Sequence, residues 1–136
     1  MMRPETMTFE QLDFIYMPSA DAAADVEYFT TVLGARLVFA VAGMGTRVAM
    51  VTLADAPPRL LLAEHLQGET PVLVYRVADL AAALQELEGR GWQREGSFEI
   101  PQGPICSFRA PGGQRVALYQ LIRPEVEEHF AGRRDF

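Results

Sequence analysis

The strongest constraint on this chain is that it repeats itself. The strand-like run Asp13-Phe14-Ile15-Tyr16-Met17 leads into a helix-like stretch ending at Leu33-Gly34. About 58 residues later, Pro71-Val72-Leu73-Val74-Tyr75-Arg76-Val77 leads into a second such stretch, ending near Gly89-Arg90-Gly91. Arg59-Leu60-Leu61-Leu62 is echoed by Arg115-Val116-Ala117-Leu118, about 56 residues on. A near-constant offset means one supersecondary unit used twice. Two such units facing each other frame a cavity, and what lines that cavity decides the function.

Within the first unit, Leu12–Met17 reads as a strand, with Phe14 and Tyr16 on one face and Ile15 and Met17 on the other. Ser19 or Asp21 caps the helix that follows. Its Ala22, Val26, Phe29 and Leu33 form one apolar stripe for a sheet, and Gly34 stops it. Leu37–Ala42 and Thr46–Leu53 are β-rich runs joined by Gly43-Met44-Gly45, a hairpin signal. The break Asp55-Ala56-Pro57-Pro58 precedes a fourth strand, Arg59–Glu64. The order is βαβββ.

The second unit repeats it. Val72–Val77 is a strand, Asp79 caps a helix carrying Leu80, Ala83, Leu84 and Leu87 on one face, and Gly89 and Gly91 end that helix. Trp92–Ile100 and Ile105–Phe108 form a hairpin around Pro101-Gln102-Gly103-Pro104. Ala110-Pro111-Gly112-Gly113 turns into the last strand, Gln114–Ile122. The expected organisation is a single domain over 1–136, with modules at 11–66 and 70–122 and a tail at 123–136. Met1–Glu10 reads as a loose leader, and Glu125–Phe136 as a short charged helix or frayed end.

Composition excludes several classes. The chain has 136 residues, 49% of them hydrophobic and 22% charged, enough for one real core. Its net charge of −6 argues against broad nucleic-acid binding, which needs a dense positive face. One cysteine, Cys106, cannot form an internal disulfide, so a reducing cytoplasm is the expected setting. No apolar run approaches the roughly 20 residues of a membrane helix. The opening residues have no apolar stretch like that of a secretory signal.

Catalytic motifs are thin. There is no Gly-x-Ser-x-Gly elbow, P-loop or dinucleotide fingerprint. Cys106 lies inside a strand, where cysteine behaves as a small hydrophobe. His65 follows the fourth strand and reads as a loop histidine or a group at a pocket mouth. His129 lies in Glu125-Val126-Glu127-Glu128-His129, a solvated helical face; the alternative, that Glu128 and His129 act at a dimer partner's cavity, is one that nothing in the sequence demands. Two histidines so far apart do not nominate a metal centre.

At the level of the whole chain, the βαβββ duplication, the Phe29…Val32-Leu33-Gly34-Ala35 ending of the first helix and the Ala110-Pro111-Gly112-Gly113-Gln114 turn resemble the vicinal oxygen chelate superfamily. That group includes glyoxalase I, bleomycin-resistance proteins, fosfomycin-resistance enzymes and extradiol dioxygenases. The resemblance spans about residues 11–122. It implies an α+β fold of two βαβββ modules whose sheets enclose a cavity. It also implies a divalent metal held by His, Gln or Glu on the first and last strands of each unit. By the repeat alignment those positions are Phe14, Leu61, Val72 and Ala117, which have no lone pair to donate. Asp13, the one neighbouring donor, falls on the opposite strand face if alternation holds. No metal and no cofactor are therefore expected.

What the sequence supplies is an apolar and aromatic lining. Phe14 and Tyr16 share the face of the vacated metal position, as do Val72, Val74 and Arg76 in the second unit. Ala117 and Tyr119 do so on the last strand, and Trp92, Phe98 and Phe108 lie on the second hairpin. Such walls with few polar anchors suit a ligand pocket. Arg76 would bind an anionic or carbonyl group, or pair with a glutamate such as Glu99. The expected function is metal-free binding of a small hydrophobic or aromatic molecule, drug or metabolite, with the acidic balance favouring cations. The alternative is a metal-free enzyme of the same fold, using Tyr16, Tyr119, Glu99 or His65 as acid, base or orienting group. Exposed strand edges favour a homodimer.

Overall fold

A computed structural model describes residues 7–136, so the first six residues of the expected leader lie outside the described residues. Eight strands form one continuous mixed sheet: β1 (Gln11–Pro18), β2 (Arg36–Gly43), β3 (Thr46–Thr52), β4 (Arg59–Ala63), β5 (Val72–Val77), β6 (Gly96–Ile100), β7 (Gly103–Arg109) and β8 (Arg115–Gln120). Their spatial order is β2-β3-β4-β1-β5-β8-β7-β6. In each module the first and last strands pair in parallel, β1 with β4 and β5 with β8. Strands β1 and β5 join the modules antiparallel, with Phe14 opposite Val74 and Tyr16 opposite Val72. That register exchanges equivalent repeat positions, so a pseudo-twofold axis runs between β1 and β5. The duplication thus closes one curled sheet.

Helices α1 (Ala22–Glu27) and α2 (Leu80–Glu88) cover one face of this sheet. The carboxylates of Asp21 and Asp79 cap them, each accepting a backbone N–H at 3.1 Å. Val26 packs on Ala40, Ala49 and Leu62, while Leu80 and Ala83 pack on Val77, Leu118 and a fully buried Cys106. A π-helical turn, Tyr28–Val32, continues α1. Its wider hydrogen bonding, Leu33 N–H to the Tyr28 carbonyl, adds a residue to the turn and throws the expected stripe out of phase. Leu33 is consequently exposed rather than packed on the sheet.

The second hairpin departs from its sequence reading. Trp92 is not in a strand: its N–H bonds to the Leu87 carbonyl at the end of α2, and β6 starts only at Gly96. Gly103 and Pro104 belong to β7, with Gly103 opposite Ile100. An added Cβ on Gly103 would collide with the Gln120 carbonyl oxygen, which requires glycine there. The last strand stops at Gln120, because the N–H groups of Ile122 and Arg123 both turn to the Gln102 carbonyl at 3.0 Å.

The C-terminal segment docks. After α3 (Val126–Phe130), Gly132 N–H donates to the Val38 carbonyl and Ala40 N–H to the Arg133 carbonyl, both at 2.8 Å. The Asp135 carboxylate accepts from Ala42 N–H at 2.8 Å. The tail therefore covers the outer edge of β2, an edge that would otherwise invite pairing with another chain. It also seats Phe130 against Phe39, ring centroids 5.7 Å apart, on the concave face.

Candidate functional site

The concave face carries the largest core cluster, built from Phe14, Phe39, Met50, Leu61, Val74, Ile105, Ala117 and Tyr119 among others. Strand alternation and register array it in rungs. One rung runs Arg59, Phe14, Val74, Ala117 and Ser107 across β4, β1, β5, β8 and β7. The next runs Leu61, Tyr16, Val72 and Arg115. Phe14, Leu61, Val72 and Ala117 thus gather around the pseudo-twofold axis, two on each rung, where the resemblance drawn from the sequence implies a divalent metal. The donor set does not fit one. All four side chains are hydrocarbon, and the cations Arg59 and Arg115 stand on the same rungs. Among the described residues, no group of three or more His, Cys, Asp or Glu side chains could hold a metal ion.

Alternation fails at one residue. The β1–β5 register shifts between Leu12 and Phe14, leaving Asp13 as an extra residue in a β-bulge. The bulge turns the Asp13 carboxylate inward, towards Phe14's face, contrary to the opposite-face expectation. There the Tyr119 hydroxyl donates to Asp13 Oδ2, and Gln11 Nε2 donates to its Oδ1 at 2.5 Å. Arg76 Nε stands 3.7 Å from Asp13 and 3.8 Å from Glu10, within ion-pair range of both. Arg76 does not pair with Glu99, whose carboxylate bonds Arg123 at 2.7 Å instead. Asp13 and Tyr119 are both buried.

Two cavities flank the central rungs. An apolar one of about 420 Å³ lies over the second module. Tyr16, Val72, Val74, Phe98 and Ala117 of the expected lining residues reach it, and Phe108 borders it while its ring turns to the helix-covered face. Ile105 and Ser107 complete its floor, and the segment His65-Leu66-Gln67 forms a rim. Arg115 fastens that rim, donating to the carbonyls of Gln67, at 2.9 Å, and Thr70. His65 also meets Thr46, Nδ1 to Oγ1 3.2 Å. The second cavity, about 240 Å³, is polar and holds Asp13, Phe14, Arg76 and Tyr119 together with Arg36, Arg59, Gln102 and Glu127. Glu127 of α3 pairs with Arg59 at its roof.

Other expected residues lie elsewhere. Leu61 is packed in the floor and lines neither cavity. Trp92 is on the helix-covered face, edge-on to Phe108 at 5.3 Å, because the end of α2 captures it before β6 begins. His129 stacks edge-on to Phe130 and reaches neither cavity. The phenols are poor bases here. Burial pushes Tyr16 up to about 12, and burial, then the hydrogen bond and charge of Asp13, push Tyr119 further up. Both remain protonated near neutrality, and Tyr119 donates its proton to the hydrogen bond with Asp13. Asp13, Gln102 and Arg115 were not foreseen as site residues. A lone aspartate leading an alternating apolar strand was the available signal for the first.

No family model matches the chain, and no curated protein matches its sequence. Solved structures do match. Methylmalonyl-CoA epimerase from Mycobacterium tuberculosis superposes with a TM-score of 0.72 at 20% identity, over 93% of this chain and 97% of that one. A Streptomyces coelicolor methylmalonyl-CoA epimerase variant in complex with 2-nitronate-propionyl-CoA gives 0.69 at 19% identity, over 84% and 96%. A catechol 2,3-dioxygenase gives 0.63 at 14% identity, over 84% of this chain and 42% of that one. These likenesses establish the fold: the chain has the paired βαβββ architecture of these structures.

Proposed function

We propose that this protein binds a small hydrophobic or aromatic molecule, drug or metabolite, in the apolar cavity of its concave face, without a metal. The observation that carries this reading is the pairing of two facts at one place. The central positions Phe14, Leu61, Val72 and Ala117 are hydrocarbon, and beside them opens a cavity of about 420 Å³ walled by Tyr16, Val72, Val74, Phe98 and Ala117. Apolar walls with a few polar groups at the rim are the usual make-up of a small-molecule site. Phe98, 54% exposed, offers an aromatic face at the entrance. Arg115, His65 and Glu95 at the rim supply the polar groups that would meet a ligand's end group.

The test is a fluorescence titration with 1-anilinonaphthalene-8-sulfonate, run with and without chelator. Saturable one-to-one binding that ignores chelator is expected. Val72→Phe, which fills the cavity from its floor, should weaken it about tenfold or more, a loss of ~1.4 kcal/mol. Binding that requires one metal per chain, or that Val72→Phe leaves unchanged, refutes the reading.

A second reading, a metal-free enzyme, draws on the buried Asp13–Tyr119 pair beside Arg76 and on structural neighbours that are named as an epimerase and a dioxygenase. Turnover of an oxygenated substrate that is lost in Asp13→Asn would favour it. A cytoplasmic homodimer belongs to the proposal too. It is supported by the free thiol of Cys106 and the open outer edge of β6. Both cavities are complete within one chain, so no exchange of modules between subunits is needed. Light scattering after gel filtration reads the oligomeric state.

A further inference from the structure

Buried polar atoms without partners are rare in folded proteins, and each calls for an explanation. Here three of them belong to residues that line the same small space, and one, Glu127 Oε1, has Arg59 as its ion-pair partner. The other two, the Nε of Arg76 and the Oε1 of Gln102, are buried without a hydrogen-bond partner among the described residues, and both residues line the 240 Å³ polar cavity. Arg76 has carboxylates at ion-pair distance, but at 3.7 and 3.8 Å neither accepts a hydrogen bond from it. What Arg76 lacks is an acceptor oxygen, and what Gln102 lacks is a donor.

Both atoms are held in place. Arg76 is in β5, opposite Tyr119 of β8 and Gln11 of β1. Gln102 sits in the two-residue turn between β6 and β7, which Ile122 and Arg123 fasten through its carbonyl. Tyr119 and Gln11 already occupy Asp13, so that carboxylate does not rotate to serve Arg76. Arg36 and Arg59 add positive charge to the wall, and Asp55 and Glu127 stand beside them as counter-ions. At ~30 Å³ per water molecule, the space equals about eight waters. That admits a molecule of a few heavy atoms and excludes a drug-sized one.

We propose that this cavity is a separate binding site for a short-chain hydroxycarboxylate. Its carboxylate accepts from Arg76, with Arg36 and Arg59 adding attraction, and its hydroxyl donates to Gln102 Oε1. The charge-assisted bond to the guanidinium supplies affinity, and the amide selects for the hydroxyl. This proposal does not depend on the apolar cavity, whose lining shares no residue with this one.

Lactate, acetate and glycerol serve as probes, titrated into the full chain by calorimetry and by chemical-shift perturbation. Acetate lacks the hydroxyl and glycerol lacks the charge. Lactate is expected to bind saturably, about tenfold or more tighter than either control. Gln102→Leu should bring lactate to the affinity of acetate. Arg76→Gln should abolish binding of both acids, with the circular dichroism spectrum confirming the fold. Phe98→Ala, in the apolar cavity, should leave lactate unaffected. Absence of saturable binding of any probe means that the cavity holds water only and overturns the proposal. So does a lactate-to-acetate ratio that Gln102→Leu does not change. Should Arg76→Gln fail to fold, the Gln102→Leu ratio decides alone, since Gln102 fastens Ile122 and Arg123 through its backbone carbonyl, which the substitution retains.

Discussion

Replacing Tyr119 by phenylalanine isolates one interaction on which the concave face depends. The ring is retained, so its tilted packing on Phe14, centroids 5.6 Å apart, persists and no cavity opens. What disappears is the hydroxyl donor to Asp13, at a site where Tyr119 is 1% and Asp13 8% exposed. Asp13 keeps Gln11 at 2.5 Å and Arg76 at 3.7 Å, so its charge is not abandoned. Hydrogen bonds to charged groups contribute about 1.5–3 kcal/mol, and the remaining partners place this one at the lower end, ~2 kcal/mol. For a domain of this size that corresponds to a fall in Tm of roughly 6–10 °C. Urea denaturation gives the free energy directly, and the slope should not change. A double-mutant cycle with Asp13→Asn should show coupling of about 1–2 kcal/mol. A Tyr119→Phe protein within about 0.5 kcal/mol of the parent, the spread of ordinary surface substitutions, would refute the argument.

Three further outcomes are expected. Gly103→Ala forces a side chain into the Gln120 carbonyl, and a loss of about 3 kcal/mol or more should appear in urea melts, with lactate binding lost alongside through displacement of Gln102. Phe130→Ala should loosen the C-terminal tail at a cost of ~2 kcal/mol, read as faster amide exchange at Ala40 and Ala42 with β5 and β8 unaffected. The titrations carry opposite signs. The hydrogen bond from Arg47, and then that from Ala22 N–H, hold Glu64 below its ordinary 4.5, so its contribution is present above that pH and is lost on acidification through its lowered pKa. Burial raises Tyr16 from 10.0 to about 12, so its contribution is present below pH 10.0 and is lost between there and about 12. Stability measured against pH should flatten on the acid limb in Glu64→Gln and on the alkaline limb in Tyr16→Phe.

Much of this protein is determined by the order of its residues. The repeat offset, the period-two strands, the aspartate caps at Asp21 and Asp79 and the Gly43-Met44-Gly45 turn are local signals, and each produced the element it implied. The hydrocarbon side chains at Phe14, Leu61, Val72 and Ala117 were legible because the pseudo-twofold axis maps equal sequence offsets onto equal places. Alternation also put Tyr16, Val72, Val74 and Ala117 on the face where the apolar cavity opens, whereas Phe14, Arg76 and Tyr119 fall in the polar cavity, Leu61 in the floor, and Trp92 is captured by the end of α2. Tertiary structure decided the rest. Asp13 points inward only because β1 carries one residue more than β5 needs, and a bulge is a property of two strands paired, not of one strand read alone. The polar cavity takes Asp13 and Arg76 from adjacent strands, Gln102 from a turn stapled to the chain beyond β8, and Glu127 from a helix that docks at the far edge. No local pattern encodes such a meeting. It arises where the curled sheet and the returning C-terminus bring side chains distant in sequence within a few ångströms of one another.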